Sequence, residues 1–149
     1  MTVEQVRVDG IPYIIYHSPH GKVKQINARD AEIATAVRLG IYQQLQAAII
    51  PDIKKRTNLG VRLAKHGSLA EAACSPDSDL DMLVVFTISA GYPSWQTDAA
   101  DFFFTQLLRD NSSDKDRLYG VSHQKIWLDF FEAYYDESTG KTKILQFPD

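Results

Sequence analysis

The chain has 149 residues with 19 acidic and 16 basic side chains, and its net charge of −3 excludes a protein that grips long nucleic acid through a broad basic surface. Its length suits one domain with a buried core, and its hydrophobic (44%) and charged (23%) fractions are those of an ordinary soluble globular protein. The single cysteine, Cys74, excludes an internal disulfide and fits a reducing compartment. The sequence also shows no membrane-length apolar run and no signal-peptide pattern. We therefore expect a cytoplasmic protein with no membrane partner.

The N-terminal segment is predicted to form two or three β-strands. Asp9-Gly10 is a turn dipeptide typical of hairpins, and β-forming residues surround it from Glu4 to Ile26. One interpretation is a hairpin that covers the edge of a sheet. The other is a contact surface for a partner protein or for a second copy of the chain, indicated by the apolar and aromatic run Tyr13–Tyr16.

A helix is predicted next, from Asn27 to about Ile50. Asn27 is a favourable N-cap and Asp30 lies in the first turn. Apolar residues then recur at helical spacing, which indicates a buried stripe. Because proline lacks a backbone N–H group, we expect the helix to end before Pro51.

Two carboxylates stand at the start of a strand predicted over Asp79–Phe86. Because side chains alternate along a strand, Asp79 and Asp81 point to the same side, with Cα atoms about 6.6–6.8 Å apart. Like charges at this distance repel each other unless a cation lies between them. Carboxylate oxygens are hard ligands that suit Mg²⁺ or Mn²⁺. The spacing therefore predicts a divalent metal site.

A preceding strand, Val61–Lys65, leads into Gly67 and Ser68. A glycine after a strand lets the backbone approach a ligand, and the turn that follows presents N–H groups that favour phosphate oxygens. Ser68 adds a hydroxyl, and Lys65 places a cation beside the same site, although a solvated Lys65 at the strand end is an equally good interpretation. We expect phosphate groups to bind next to the metal.

The rest of the sequence predicts a loop, a helix and two strands. The loop Thr87–Trp95 is long enough to act as a lid over the site. A helix is expected from Thr97 to about Arg109, followed by a strand over His123–Tyr135. A hairpin turn then joins this strand to a last one, Lys143–Phe147.

Asp129 is a lone acid within the apolar strand His123–Tyr135. Strand alternation places it on the same face as Trp127 and opposite to Glu132. A lone buried carboxylate is costly unless it is paired or bound to a metal. The alternative is that Asp129 lies at an exposed edge.

The motif resembles that of a known family. It consists of Gly67-Ser68, ten further residues, and Asp79-Leu80-Asp81, with Ser78 directly before Asp79. This pattern is similar to the signature of the polymerase-β-like nucleotidyltransferase superfamily, in particular of its minimal, single-domain members. The resemblance covers about 59–86. Many minimal members carry Arg and Gly where this chain has Glu71 and Ala72, a departure that bears on phosphate contacts.

The resemblance implies an α+β fold, with helices packed on a small mixed sheet, in a single domain over residues 1–149. Residues 27–149 would form the catalytic core and residues 1–26 a β-hairpin extension. The implied reaction is the metal-dependent transfer of a nucleoside monophosphate from a nucleoside triphosphate, expected to be ATP, to a hydroxyl acceptor with release of pyrophosphate.

The resemblance also implies residue roles. Asp79 and Asp81 would hold Mg²⁺ or Mn²⁺, and a third carboxylate on a later strand would join them. Asp129 is the first candidate for that third carboxylate and Glu132 the second. The resemblance implies nucleotide binding by Gly67, Ser68 and Ser78. Lys65 is a further candidate because its charge lies beside the proposed phosphate site, where many family members are apolar.

The acceptor remains open between three hypotheses. The first is a hydroxyl on a partner protein, as in small antitoxins that adenylylate a toxin partner and share this motif spacing. The second is a small molecule, as for aminoglycoside nucleotidyltransferases. The third is a nucleotide-binding module with weak catalysis. A homo-oligomer is compatible with each.

Overall fold

The structure is a computed structural model, and it describes residues 3–18 and 21–145. Its class is α+β, which confirms the prediction. Among the described residues, no helix combines the length and the apolar character that a membrane crossing requires. In chain order the elements are β1 (Val3–Val8), β2 (Ile11–His17), β3 (Val23–Asn27), α1 (Ala28–Thr57), β4 (Val61–Lys65), α2 (Gly67–Ala70), β5 (Leu80–Ile88), α3 (Ser94–Ser113), β6 (Arg117–Leu118), β7 (Val121–Ser122), β8 (Leu128–Asp136) and β9 (Lys141–Ile144).

The first three strands form an antiparallel sheet of their own, in the order β1-β2-β3. Asp9 and Gly10 take φ values of 53° and 80°, the positive values that a two-residue hairpin turn requires. The predicted turn and strands are therefore confirmed. In the described part of the chain this sheet is not hydrogen-bonded to the second sheet, and it packs beside α1 instead.

Helix α1 begins as predicted but ends later. The side chain of Asn27 accepts hydrogen bonds from the N–H groups of Arg29 (3.0 Å) and Asp30 (3.3 Å). The predicted end before Pro51 is wrong, because the helix continues to Thr57. Pro51 is exposed and its missing N–H group costs one helical bond, but Ile53, which is completely buried, extends the apolar stripe into the core.

The second sheet has four strands in the order β4-β5-β8-β9. Strands β5 and β8 run parallel, whereas the outer pairs run antiparallel. Met82 and Val84 are completely buried in the main core with residues of α1 and α3, and we call this side the helix face. Leu83 and Val85 point to the other side, where they pack with strand residues, and we call it the open face.

Helix α3 begins before the predicted N-cap, Thr97. The loop between β5 and α3 covers only residues 89–93, and is shorter than the predicted loop Thr87–Trp95. The Gln96 side chain closes it: it accepts from the N–H group of Ser89 (2.8 Å) and donates to the Ser89 hydroxyl (3.0 Å). This loop follows the C-terminal end of β5, about 23 Å along the strand from Asp81. The predicted lid is therefore wrong, because the loop lies at the far end of the strand.

The strand predicted over His123–Tyr135 begins only at Leu128. Gln124 and Lys125 take φ values of 54° and 61°, which no strand accommodates. The turn they form is closed by a hydrogen bond from the N–H group of Ile126 to the carbonyl of His123 (2.9 Å).

The predicted hairpin after β8 is confirmed. Strand β9 pairs antiparallel with β8 and begins at Lys141, two residues before the predicted start. The predicted end at Phe147 lies outside the described residues.

Candidate metal centre

Parallel pairing of β5 with β8 brings three aspartates together. Asp81 and Asp129 are register partners on neighbouring strands, so their side chains stand next to each other on the open face. Asp79 precedes Asp81 by two residues and reaches the same side. One carboxylate oxygen from each residue lies within 4.8 Å of the other two. We call these residues the aspartate triad.

The alternative third carboxylate, Glu132, lies on the helix face. Its register partner is Val84, whose side chain is completely buried in the main core. Because Asp129 and Glu132 are three residues apart, strand alternation directs them to opposite sides. The sheet register therefore places Asp129, and not Glu132, beside Asp81.

The surroundings of the aspartate triad disfavour the ionised carboxylates. Burial raises the pKa of Asp81, and repulsion from Asp79 adds to the increase. Burial and then the charge of Asp129 raise the pKa of Asp79. The pKa of Asp129 is raised by burial and then by the charge of Asp81. A cation among the three would remove this electrostatic cost.

The chemistry of the donors fits Mg²⁺ or Mn²⁺. All three are carboxylate oxygens, the hard ligands that these ions prefer over the softer ligands of zinc or copper. Asp79 is exposed, whereas Asp81 and Asp129 are half-buried. The residues could thus hold an ion on the protein side while the Asp79 side stays accessible from solvent.

Gly67 packs closely against the Asp81 carboxylate. A Cβ atom at this position would lie 2.6 Å from Asp81 Oδ2, and the φ angle is +60°. Both features favour glycine at this position. The N–H group of the preceding residue, His66, donates to the Asp81 carbonyl at 3.1 Å and holds the turn against β5.

Ser68 lies in the same turn. It is half-buried, and its hydroxyl oxygen lies 3.7 Å from the sulfur of Cys74. Ala72 ends the turn with a φ of 54°, in the left-handed region that favours glycine. It stands at the position where the sequence comparison with the resembled family found alanine in place of glycine.

The other two predicted nucleotide-binding residues do not face the aspartate triad. Lys65 pairs with Met82 on the helix face, so its side chain leaves the sheet on the side opposite to Asp81. Ser78 is buried, and its hydroxyl accepts the N–H group of Ser75 at 2.8 Å. Ser78 therefore shapes the loop before β5.

Sequence reasoning missed a buried arginine that supports this loop. Arg38 of α1 is 4% exposed; its Nε donates to the carbonyl of Ser78 at 2.9 Å and its Nη2 to that of Pro76 at 3.1 Å. The loop leads directly into Asp79. A signal was present, because Arg38 follows Ala34 by four residues on the apolar stripe, where a charged side chain needs partners.

The N-terminal sheet lies beside the aspartate triad. Tyr16 of β2 is buried, and burial, followed by the charges of Glu71 and Asp81, raises its pKa. Lys24 of β3 lies 4.0 Å from the Asp77 carboxylate. The extension thus forms one side of the site, a placement that neither interpretation of the sequence included.

Trp127 borders the aspartate triad at the start of β8. Its carbonyl accepts the N–H group of Leu80 at 2.8 Å, and its indole N–H donates to Asp129 Oδ1 at 3.1 Å. The side chain is nevertheless 61% exposed. The sequence placed Trp127 on the face of Asp129 but gave no reason to assign it a role.

Comparison of the chain with protein-family models, with curated proteins and with solved structures finds no match. Function is therefore inferred from the motif and from the geometry of the site.

Proposed function

We propose that the protein is a metal-dependent nucleotidyltransferase that moves a nucleoside monophosphate, with AMP as the first choice, from a nucleoside triphosphate to a hydroxyl acceptor. The observation that carries the proposal is the aspartate triad, with its carboxylate oxygens within 4.8 Å of one another and Gly67 packed against Asp81. A triphosphate is strongly anionic, and enzymes that transfer its phosphoryl groups rely on carboxylate-held divalent cations.

The proposed reaction exchanges one phosphorus–oxygen bond for another. The oxygen of the acceptor hydroxyl bonds to the α-phosphorus, and the bond from that phosphorus to the bridging oxygen breaks, so that pyrophosphate leaves with the electron pair. The hydroxyl proton passes to Asp129. Asp79 and Asp81 would hold the divalent cation and Asp129 would share it. The cation would supply charge neutralisation for the phosphate oxygens when bound.

Gly67 and Ser68 are proposed to align the triphosphate. The absence of a side chain at Gly67 leaves the backbone accessible next to Asp81. The Ser68 hydroxyl lies 3.7 Å from Cys74 Sγ, a weak partner, so its O–H group can turn to a phosphate oxygen. Positioning of this kind lowers the barrier by holding the reacting atoms in line. Lys65 has no part in this arrangement because it lies on the helix face.

A hydroxyl on a partner protein is the acceptor we propose. Asp79 is exposed, so a side chain on another protein surface can approach the aspartate triad from solvent. The motif spacing shared with adenylylating antitoxins supports the same acceptor class. A small-molecule acceptor and binding without turnover are the outcomes against which the experiment discriminates.

The test uses the purified protein with Mg²⁺ and each of the four α-labelled nucleoside triphosphates. Cell lysate supplies protein acceptors, and an aminoglycoside supplies a small one. We expect one triphosphate to label a protein band. The double variant Asp79→Ala/Asp81→Ala should lower labelling at least about a hundredfold, because it removes two of the three charged ligands. Asp98→Asn, which removes an exposed acid on α3, should leave labelling unchanged.

The alternatives give different patterns. Label on the aminoglycoside and not on protein would replace the proposed acceptor but keep the reaction. Metal-dependent binding of a triphosphate without label on any acceptor would overturn the transferase in favour of a binding module. Labelling that persists in the double variant would show that the aspartate triad is not the catalytic site.

A further inference from the structure

We infer that Trp127 positions Asp129 for metal binding and that its exposed indole ring is the surface on which the base of the bound nucleotide stacks. The inference rests on the proposed function and adds a residue that the motif does not contain. It is drawn from the hydrogen bond, the backbone anchor and the exposure of this side chain.

The hydrogen bond from Trp127 fixes the orientation of the Asp129 carboxylate. The indole N–H is the single donor of a tryptophan side chain, and here it points to Asp129 Oδ1 at 3.1 Å. A hydrogen bond to an ionised carboxylate is stronger than one between neutral groups. The bond therefore holds the Asp129 carboxylate in one orientation beside Asp81.

The backbone of Trp127 is anchored at the same place. Its carbonyl accepts the N–H group of Leu80, the residue between Asp79 and Asp81, at 2.8 Å. The same residue thus bonds to β5 between the two aspartates through its backbone and to Asp129 through its side chain. Partners of metal ligands commonly set metal affinity in this way.

The ring itself remains available to a ligand. Trp127 is 61% exposed although its N–H group is bonded, so one edge of the indole is held at the aspartate triad while much of its surface meets solvent. Aromatic faces of this kind bind bases by stacking, without regard to base identity. Trp95 is similarly exposed, at 56%, but it lies in the first turn of α3, beyond the opposite end of β5. It is therefore a matched control.

The experiment separates the two roles with two substitutions. Trp127→Phe keeps an aromatic ring and removes the donor, whereas Trp127→Ala removes both. Trp95→Phe controls for the loss of an exposed tryptophan. Calorimetry measures the dissociation constant of Mg²⁺, and then those of ATP and of inorganic tripolyphosphate at saturating Mg²⁺. The ratio of the last two constants isolates the contribution of the nucleoside.

We expect both Trp127 variants to bind Mg²⁺ about tenfold more weakly. Trp127→Phe should keep the wild-type preference for ATP over tripolyphosphate. Trp127→Ala should reduce that preference about tenfold. In the Trp95→Phe protein, Mn²⁺ should quench the fluorescence of Trp127 and Mg²⁺ should reverse the effect. In the Trp127→Phe protein, the fluorescence of Trp95 should not respond.

Wild-type Mg²⁺ affinity in Trp127→Phe would overturn the positioning role. An unchanged ATP preference in Trp127→Ala would overturn the stacking role. Both results presuppose that the wild type binds Mg²⁺ and ATP. A wild type that binds neither would overturn the proposed function itself, which keeps the two failures distinct.

Discussion

Two acidic groups lie on opposite faces of the sheet at β8, and they differ in their access to solvent. On the open face, the aspartate triad reaches solvent through Asp79. On the helix face, Glu132 interacts with Asp101 of α3. The hydroxyl of Tyr134 donates to Asp101 Oδ1 at 2.9 Å. In each group, neighbouring carboxylates repel each other when they are ionised.

We propose that the two groups also differ in what neutralises their charge. Burial, followed by the interaction with Asp101, raises the pKa of Glu132 to about 8, so Glu132 is mostly protonated at neutral pH. A proton thus relieves the repulsion beneath the helices. The aspartate triad has an accessible side, so a divalent cation can do the same there. Asp129 and Glu132 are three residues apart, and the face that each occupies determines its chemistry.

The largest expected effect comes from Asp81→Asn. In the wild type, Mg²⁺ at about a hundred times its dissociation constant should raise the free energy of unfolding by about 2.7 kcal/mol. Asp81→Asn removes one ligand and its charge, so this increase should disappear. Without Mg²⁺ the variant should be more stable than the wild type, because repulsion from Asp79 is relieved. Denaturant unfolding with and without Mg²⁺ measures both changes.

Glu132→Gln is the control for this experiment, since it changes the acidic group on the helix face. It should keep the full stabilisation by Mg²⁺. An equal response of Asp81→Asn and the wild type to Mg²⁺ would remove the proposed distinction between the two groups.

A smaller effect is expected from Gly67→Ala. At a φ of +60°, alanine costs about 1–2 kcal/mol, and its Cβ would lie 2.6 Å from Asp81 Oδ2. The carboxylate must move, so Mg²⁺ affinity should fall along with the free energy of unfolding. Thermal unfolding and calorimetry measure the two quantities.

Gly10→Ala is the matched substitution, because Gly10 has a φ of +80° and no atom within 4 Å of the added Cβ. It should lower stability without changing Mg²⁺ affinity. If Gly67→Ala also left Mg²⁺ affinity unchanged, the close approach to Asp81 would have no role in the site.

The sequence was sufficient to predict Asp79 and Asp81 and to name Asp129 as the first candidate for the third carboxylate, but it left Glu132 open as the second. The spacing of Asp79 and Asp81 is local, and local alternation along a strand follows from backbone geometry. The third carboxylate depends on which strand lies beside β5 and in which register. That information is long-range, and it also decides that Lys65 faces away from the site.

Tertiary packing explains the other differences. The preference of proline against helix interiors is local, and the burial of Ile53 overrode it in α1. The bonds of Arg38 to the loop before β5 join residues about forty positions apart. The role we infer for Trp127 depends on its hydrogen bond to Asp129, two residues away. The sequence does not indicate this role, because only the strand register places Asp129 beside Asp81.

The smallest expected effect is the pH dependence caused by Glu132. Its pKa rises from 4.5 to about 8 on folding, so between these values the folded protein binds the proton more tightly than the unfolded chain does. The stabilisation is therefore complete below about pH 4.5 and is lost as the pH rises through 8. We expect a total change of about 1 kcal/mol, because solvent contact and proton sharing with Asp101 reduce it.

Glu132→Gln tests this prediction, because a neutral amide of similar shape cannot titrate. The difference in free energy of unfolding between wild type and variant should favour the wild type most near pH 4.5 and shrink steadily up to pH 8. Glu137→Gln, at an exposed position in the turn after β8, should give a constant difference. A constant difference for Glu132→Gln as well would mean that Glu132 is ionised on the helix face. The proposed contrast, with a proton on the helix face and a cation on the open face, would then be wrong for Glu132.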